Sequence, residues 1–237
     1  MDAKTVTKQL EELSTPERAK GASRFFKTAP GQYGEGDIFM GIKVPELRKI
    51  ARQYVAMSLQ EATLLLTSPL HECRETALFI LVLKYAKGTP KERREIYDVY
   101  MTHTKYINNW DLVDASAEYI VGPELGKNYK KQLSTLAKSK SIWERRIAML
   151  ACFYHIKAGD PEPAFYIIEF LKQDKEDLIQ KAVGWMLREI GKRCSKDILR
   201  SWLLKNDEYK TLPRTTLRYA IEHFETEERK AFLQGSL

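Results

Sequence analysis

The sequence predicts an all-α protein assembled from stacked helical pairs, and three observations carry that expectation. Apolar residues recur with the 3.6-residue period almost everywhere, while period-two alternation bounded by turn residues is hard to find. Proline stands where helices begin: Thr15-Pro16, Ser68-Pro69, Thr89-Pro90, Asp160-Pro161 and Leu212-Pro213 put it at or near a first turn, where its missing N–H costs nothing. Finally, separate helical stretches resemble one another in sequence.

In chain order, the pattern gives an amphipathic first helix over 4–13 and a second over 16–27, opened by Thr15-Pro16. The only long irregular stretch, APGQYGEGDIFMGIKV (29–44), follows. Its Gly34, Gly36 and Gly41 permit backbone turns and Phe39 anchors them; Tyr33 and Asp37 belong to the same loop, which is read mostly as structural. Helices then cover 45–56, 59–67, 70–86 after Ser68-Pro69, and 90–102 after Thr89-Pro90. Asn109 caps a helix over 110–121, because its side-chain oxygen accepts from a free backbone N–H. The remaining helices are 127–138, 142–158, 162–173, 176–192, 196–204, 213–223 and 226–233.

The repeat is visible without gaps. ECRETALFILVLKYAKG (72–88) aligned on WERRIAMLACFYHIKAG (143–159) sets Arg74 over Arg145, Ala77 over Ala148 and Gly88 over Gly159. A further shift of 34 residues sets Ala148 over Ala182, Asp114-Ala115 falls at the matching place in the intervening unit, and TTLRYAIEHF (215–224) supplies a last one. Small residues recur where an inner helix must approach its neighbour closely. Spacings of roughly 33–38 residues fit helical pairs of the HEAT or armadillo kind, stacked as a solenoid and expected to form a single repeat domain over 1–237. In such a stack, residues at matching positions of successive repeats line up along one face.

Composition narrows the function. The chain has 237 residues, 43% hydrophobic and 30% charged, enough for a large core. The longest apolar run, Ala77 to Leu83, is far too short to span a bilayer, and Met1 leads into a polar amphipathic start without the apolar core of a signal peptide. An intracellular, cytoplasmic protein is expected. Cys73, Cys152 and Cys194 are odd in number and widely spaced, and His71, His103, His155 and His223 are scattered. No metal or other cofactor is therefore expected. The net charge of +7 and pI near 9.1 favour a polyanionic partner, chiefly nucleic acid. Lys127, Lys130, Lys131, Arg188, Lys192, Arg193, Arg214 and Arg218 are candidate phosphate contacts. Each alone reads as a solvated helix face; together they supply the positive surface that DNA requires. GPELGKN (122–128) is one residue short of a phosphate loop and lacks Ser or Thr after the Lys, and the GxG of the long loop follows no strand.

One short stretch concentrates chemistry. In YINNWDLVD (106–114), Trp110 lies four residues before Asp114 and shares its helix face, whereas Asp111 points elsewhere. Both acids suit a helix N-terminus, where the dipole favours negative charge. Asp111 is read as a helix-start acid. From the residues alone, Trp110 and Asp114 are equally an aromatic wall beside a working carboxylate or a core Trp beside a solvated acid.

GEGDIFMGIKVPELRKIAR (34–52), NWDLVD (109–114), WERRIAML (143–150) and QKAVGWMLREIGK (180–192), in that order, resemble the AlkD-type DNA glycosylase family of alkylation repair proteins over nearly the whole length. The resemblance implies a right-handed, C-shaped solenoid of HEAT-like, armadillo-like repeats holding duplex DNA against a basic concave face. It implies hydrolysis of the N-glycosidic bond of cationic bases such as 3-methyladenine and 7-methylguanine, without drawing the base into a protein pocket. Matched to the family's motifs, Asp114, Trp110 and Trp185 are the catalytic residues and Arg146, with Arg145 as the other choice, holds phosphate; the partner is alkylated duplex DNA and the protein a monomer, nucleoid-associated. Trp143 and Trp202 are left as packing residues.

The chemistry suits that assignment. An N-alkylated purine already carries positive charge and leaves without prior protonation, so one carboxylate suffices to stabilise an oxocarbenium-like sugar and orient water. No Lys stands in the WDLVD turn to act as an amine nucleophile, so hydrolysis leaving an abasic site is expected. Two other classes suit a helical-repeat chain: a non-catalytic repeat protein binding damaged or branched DNA and, less readily, a peptide-binding scaffold.

Overall fold

The computed structural model describes all residues, 1–237, and is helical from end to end; the sole β-type pairing is an isolated bridge between Ile38 and Leu70. It contains α1 (Ala3–Glu11), α2 (Pro16–Phe25), α3 (Val44–Gln53), α4 (Leu59–Leu66), α5 (His71–Lys87), α6 (Pro90–Thr102), α7 (Trp110–Asp114), α8 (Ala117–Leu125) and α9 (Tyr129–Ala137). Then come α10 (Ile142–Ala151), α11 (Phe153–Lys157), α12 (Glu162–Leu171), α13 (Asp177–Arg193), α14 (Lys196–Leu204), α15 (Glu208–Thr211), α16 (Arg214–Ala220) and α17 (Thr226–Gln234). The chain forms two compact units, residues 1–120 and 121–237. No helix is long and apolar enough to cross a membrane.

Local chemistry sets most of the helix starts. Asp2, Ser58, Ser141 and Ser195 accept backbone N–H groups at the starts of α1, α4, α10 and α14, and Thr89 and Glu92 close a capping box around Pro90 at α6. Two expected helices are each broken. The helix expected over 110–121 divides into α7 and α8 because the Ser116 hydroxyl turns back on the Leu112 carbonyl at 2.6 Å, while its N–H bonds Val113 in a tighter turn. The helix expected over 142–158 divides at Cys152, whose N–H likewise reaches back only three residues, to Met149. The short α15 had no counterpart in the sequence reading.

In the first unit α5 is the hub, packed by α1, α3, α4, α6 and α7. Its apolar residues Ala77, Leu78, Ile80 and Leu81 are fully enclosed, and burial of each large aliphatic side chain contributes about 1.5–3 kcal/mol. The irregular stretch 29–44 docks on the start of α5. The Glu72 carboxylate accepts the N–H groups of Met40, Gly41 and Ile42 at 2.8, 2.7 and 3.2 Å, and His71 N–H bonds the Ile38 carbonyl. Gly41 is obligatory there: its φ is +76°, and a β-carbon would fall 2.3 Å from the Ala19 nitrogen.

In the second unit α13 is the hub, contacted by α10, α11, α12, α14 and α16. The expected small contact residues Ala148 and Ala182 are fully buried. Gly184 lets α16 cross closest, since a β-carbon there would lie 2.5 Å from Tyr219 Cβ.

Candidate functional site

The short helix α7 begins as expected: the Asn109 side chain accepts the Trp110 N–H at 2.9 Å. Leu112 and Val113 are fully buried and fix the inner face; Trp110 and Asp114, one turn apart, share another face and are half-buried. Trp110 is walled in by α2. Its indole stacks on Phe26 with centroids 5.2 Å apart and meets the edge of Phe25, itself largely exposed, at 5.9 Å. Burial pushes the Tyr100 hydroxyl well above its ordinary value, and the nearby Asp114 charge adds to the rise.

Behind this face lies a buried ionic network. His71 Nδ1 donates to Asp37 and Nε2 to Asp111, both at 2.7 Å, and Arg74 holds the other Asp37 oxygen at 2.6 Å. A carboxylate only accepts, so both ring nitrogens carry protons and His71 is an imidazolium. Burial opposes that charge, but the bonds to Asp111 and Asp37 prevail and raise the group to about 9. Burial likewise works against the Asp37 carboxylate, yet His71 and Arg74 hold it below its usual range. The imidazolium also ends a ladder of rings: Phe39 stacks on it at 4.2 Å, Phe26 on Phe39 at 4.8 Å, and Trp110 on Phe26. Glu75, one turn along α5, is 5% exposed, and burial followed by the Asp111 charge raises its carboxyl to about 7.

Asp111 is therefore more than a helix-start acid. One oxygen does take the Leu112 N–H, at 2.9 Å, but the other anchors α7 to α5 through His71. Asp37 is structural, as read, though its partners are His71 and Arg74. None of these contacts left a local signal, because the partners lie 34 to 40 residues apart in the chain.

The second unit gathers several of the expected cationic residues. Lys181, Trp185, Arg188 and Lys192 recur at helical spacing on one face of α13. Trp185 is half-buried and meets the edge of Phe153 at 5.7 Å. Between α13, α16 and α17 runs a groove of about 610 Å³ lined by Lys181, Arg188, Arg214, Arg218 and Arg229, with Asp177 and Glu222 interspersed. Arg188 is paired with Glu222, Arg214 donates to the Leu233 carbonyl, and Arg218 and Lys192 are exposed. Lys181 and Arg229 were not singled out in the sequence, where nothing marks a groove cation from any other surface cation.

The other expected contacts lie elsewhere: Lys130 faces Glu162, Lys131 is exposed and Arg193 is bonded to Glu189. Lys127 is exposed in the turn before α9. Arg146 is 5% exposed and donates to the Leu178 carbonyl at 2.6 Å. Arg145 is committed to the framework: it grips Asp174 at 2.6 Å and the carbonyls of Ser139 and Lys140 at 3.1 Å each.

The DNA alkylation repair enzyme profile matches residues 6–224. The chain belongs to that family. Among solved structures, a predicted DNA alkylation repair enzyme from Enterococcus faecalis superposes with a TM-score of 0.68 at 17% identity, over 90% of this chain and 97% of the other. AlkD2 from Streptococcus mutans superposes with a TM-score of 0.54 at 18% identity, over 89% and 99%. At these identities the likeness is one of fold. No curated protein matches the chain. The family match extends across both units and includes every expected site residue, from Trp110 to Arg218.

Proposed function

We propose that this DNA alkylation repair protein is a monofunctional N-glycosylase. It hydrolyses the bond between deoxyribose and a cationic alkylated base, 3-methyladenine or 7-methylguanine, in duplex DNA and leaves an abasic site. The observation that carries the reading is the face of α7 on which a half-buried carboxylate, Asp114, stands one turn from an indole backed by Phe26. As the cationic base departs, positive charge develops on the sugar. Asp114 stabilises it and orients or deprotonates the incoming water. Trp110 packs against the sugar, excludes bulk water and offers its π-face to the cation. The ring ladder and the Asp111–His71 bridge keep the indole from turning away.

Trp185 supplies a second aromatic surface for the DNA. Arg188, Lys192, Arg214 and Arg218 neutralise phosphates along the groove of the second unit, with Lys127 as a further contact; Arg145 and the buried Arg146 serve the framework. Normal bases, which must be protonated to leave, are poor substrates for a site with one acid. The protein works as a monomer on the nucleoid.

The test is a duplex carrying one 7-methylguanine, incubated with wild type and with Asp114→Asn. Free base is quantified by mass spectrometry and binding to the same duplex is measured alongside. Release falls roughly 100-fold or more in the variant while binding persists. Tight, salt-sensitive binding with no release above the spontaneous rate would overturn the glycosylase reading and leave a non-catalytic binder of damaged DNA.

A further inference from the structure

The proposed reaction makes no use of Glu75. As a residue it is 5% exposed, and it has neither a hydrogen bond nor an ion pair. Every acid around it is matched: Asp37 and Asp111 by His71 and Arg74, Glu72 by three backbone N–H groups. A buried, unmatched carboxylate is costly unless a cation joins it. Glu75 is aimed at the place where one would sit. The ligand atoms of His71, Glu75 and Asp111 all lie within 4.8 Å of one another. The same three residues line a cavity of about 170 Å³, walled by Phe26, Phe39 and Ile42, with room for an ion and its waters.

We propose that His71 Nε2, Glu75 and Asp111 bind a divalent first-row transition ion, zinc or manganese. One imidazole and two carboxylates form a donor set of the right kind, leaving positions for water from the cavity. The supporting shell is in place. Asp37 accepts the Nδ1–H, which leaves Nε2 to face the ion, and Arg74 fixes Asp37 in turn. The exchange balances: the ion displaces the Nε2 proton and any proton on Glu75 to solvent, and the positive charge it adds matches the Glu75 carboxylate. Asp111 and Nε2, now 2.7 Å apart, separate to roughly 3–3.4 Å around an ion about 2.1 Å from each, the range running from octahedral to tetrahedral angles. The ion ties α5 to α7. The proposal concerns binding alone and stands whether or not the chain cleaves DNA.

The experiment uses the full-length protein, stripped with chelator and titrated calorimetrically with ZnCl2 and, separately, MnCl2. X-ray absorption of the zinc-loaded form and thermal melts accompany it. One ion binds per chain, the melting temperature rises, and the absorption edge fits one imidazole with oxygen ligands. Glu75→Gln removes the unmatched charge without disturbing the His71 bridges. The metal-free variant therefore melts no lower than wild type, yet binds the ion roughly 10-fold or more weakly and gains no melting temperature from it. Absence of stoichiometric binding of either ion, equal affinity in the two proteins, or sulfur ligands in the absorption spectrum would overturn the proposal.

Discussion

The starts of α5 and α10 are the same piece of protein used in two ways. Arg74 donates to the carbonyls of Ser68 and Pro69, six and five residues back, and grips Asp37. Arg145 donates to the carbonyls of Ser139 and Lys140, again six and five residues back, and grips Asp174. Both clamps satisfy carbonyls of the connection before a helix and tie that helix to an acid from elsewhere. The flanking positions diverge. Where α5 has His71, Glu72 and Glu75, α10 has Ile142, Trp143 and Arg146 in the same register. The comparison teaches that the clamp is framework shared by these two helices, whereas the charged cluster is particular to α5. In α13 even the clamp is gone, since the matching position is the buried Ile179.

The largest effects should come from the diverged positions. His71→Ala leaves one oxygen of Asp37 and one of Asp111 without a partner and should cost roughly 3–5 kcal/mol in urea unfolding. Its counterpart Ile142→Ala, at a half-buried aliphatic, should cost roughly 1–2 kcal/mol. Equal costs would mean that the cluster contributes no more than ordinary packing. Next come the clamps. Arg74→Ala breaks a pair whose side chains are 4% and 1% exposed, Arg145→Ala one at 15% and 10%, so the first should destabilise more, about 3 kcal/mol against about 1–2. Only Arg74→Ala should also slow base release per folded molecule, because Asp37 orients His71; parallel losses of activity would erase the distinction between site and framework. The smallest effect sharpens the reading of Arg145. Arg218→Ala should lower the log–log salt slope of duplex binding by roughly 0.9, and Arg145→Ala should leave the slope unchanged.

Much of this was written in short-range chemistry. The 3.6-residue period, the Thr-Pro and Ser-Pro starts and the Asn109 cap each act within about a turn of helix, so they survive in any context. The Arg74–Arg145 correspondence is equally plain, although its purpose is not: the sequence offers Arg145 as the second choice for a phosphate ligand, and Asp174 holds it in the framework. The breaks at Ser116 and Cys152 escaped because the side chains that turn back on the helix read as ordinary helical residues.

By itself, the sequence determined an all-helical repeat protein, the family motifs, and the pairing of Trp110 with Asp114 on one helical face. Those follow from spacing, which a linear chain records directly. Only the tertiary structure decided that His71, read as one scattered histidine among four, is the bridge between Asp37 and Asp111, and that Glu75 is buried beside it without a partner. The physical reason is that burial turns ordinary side chains into high-energy ones. Which acids lose their water, and which cation reaches them, depends on packing between segments 34 and 40 residues apart that share no local pattern.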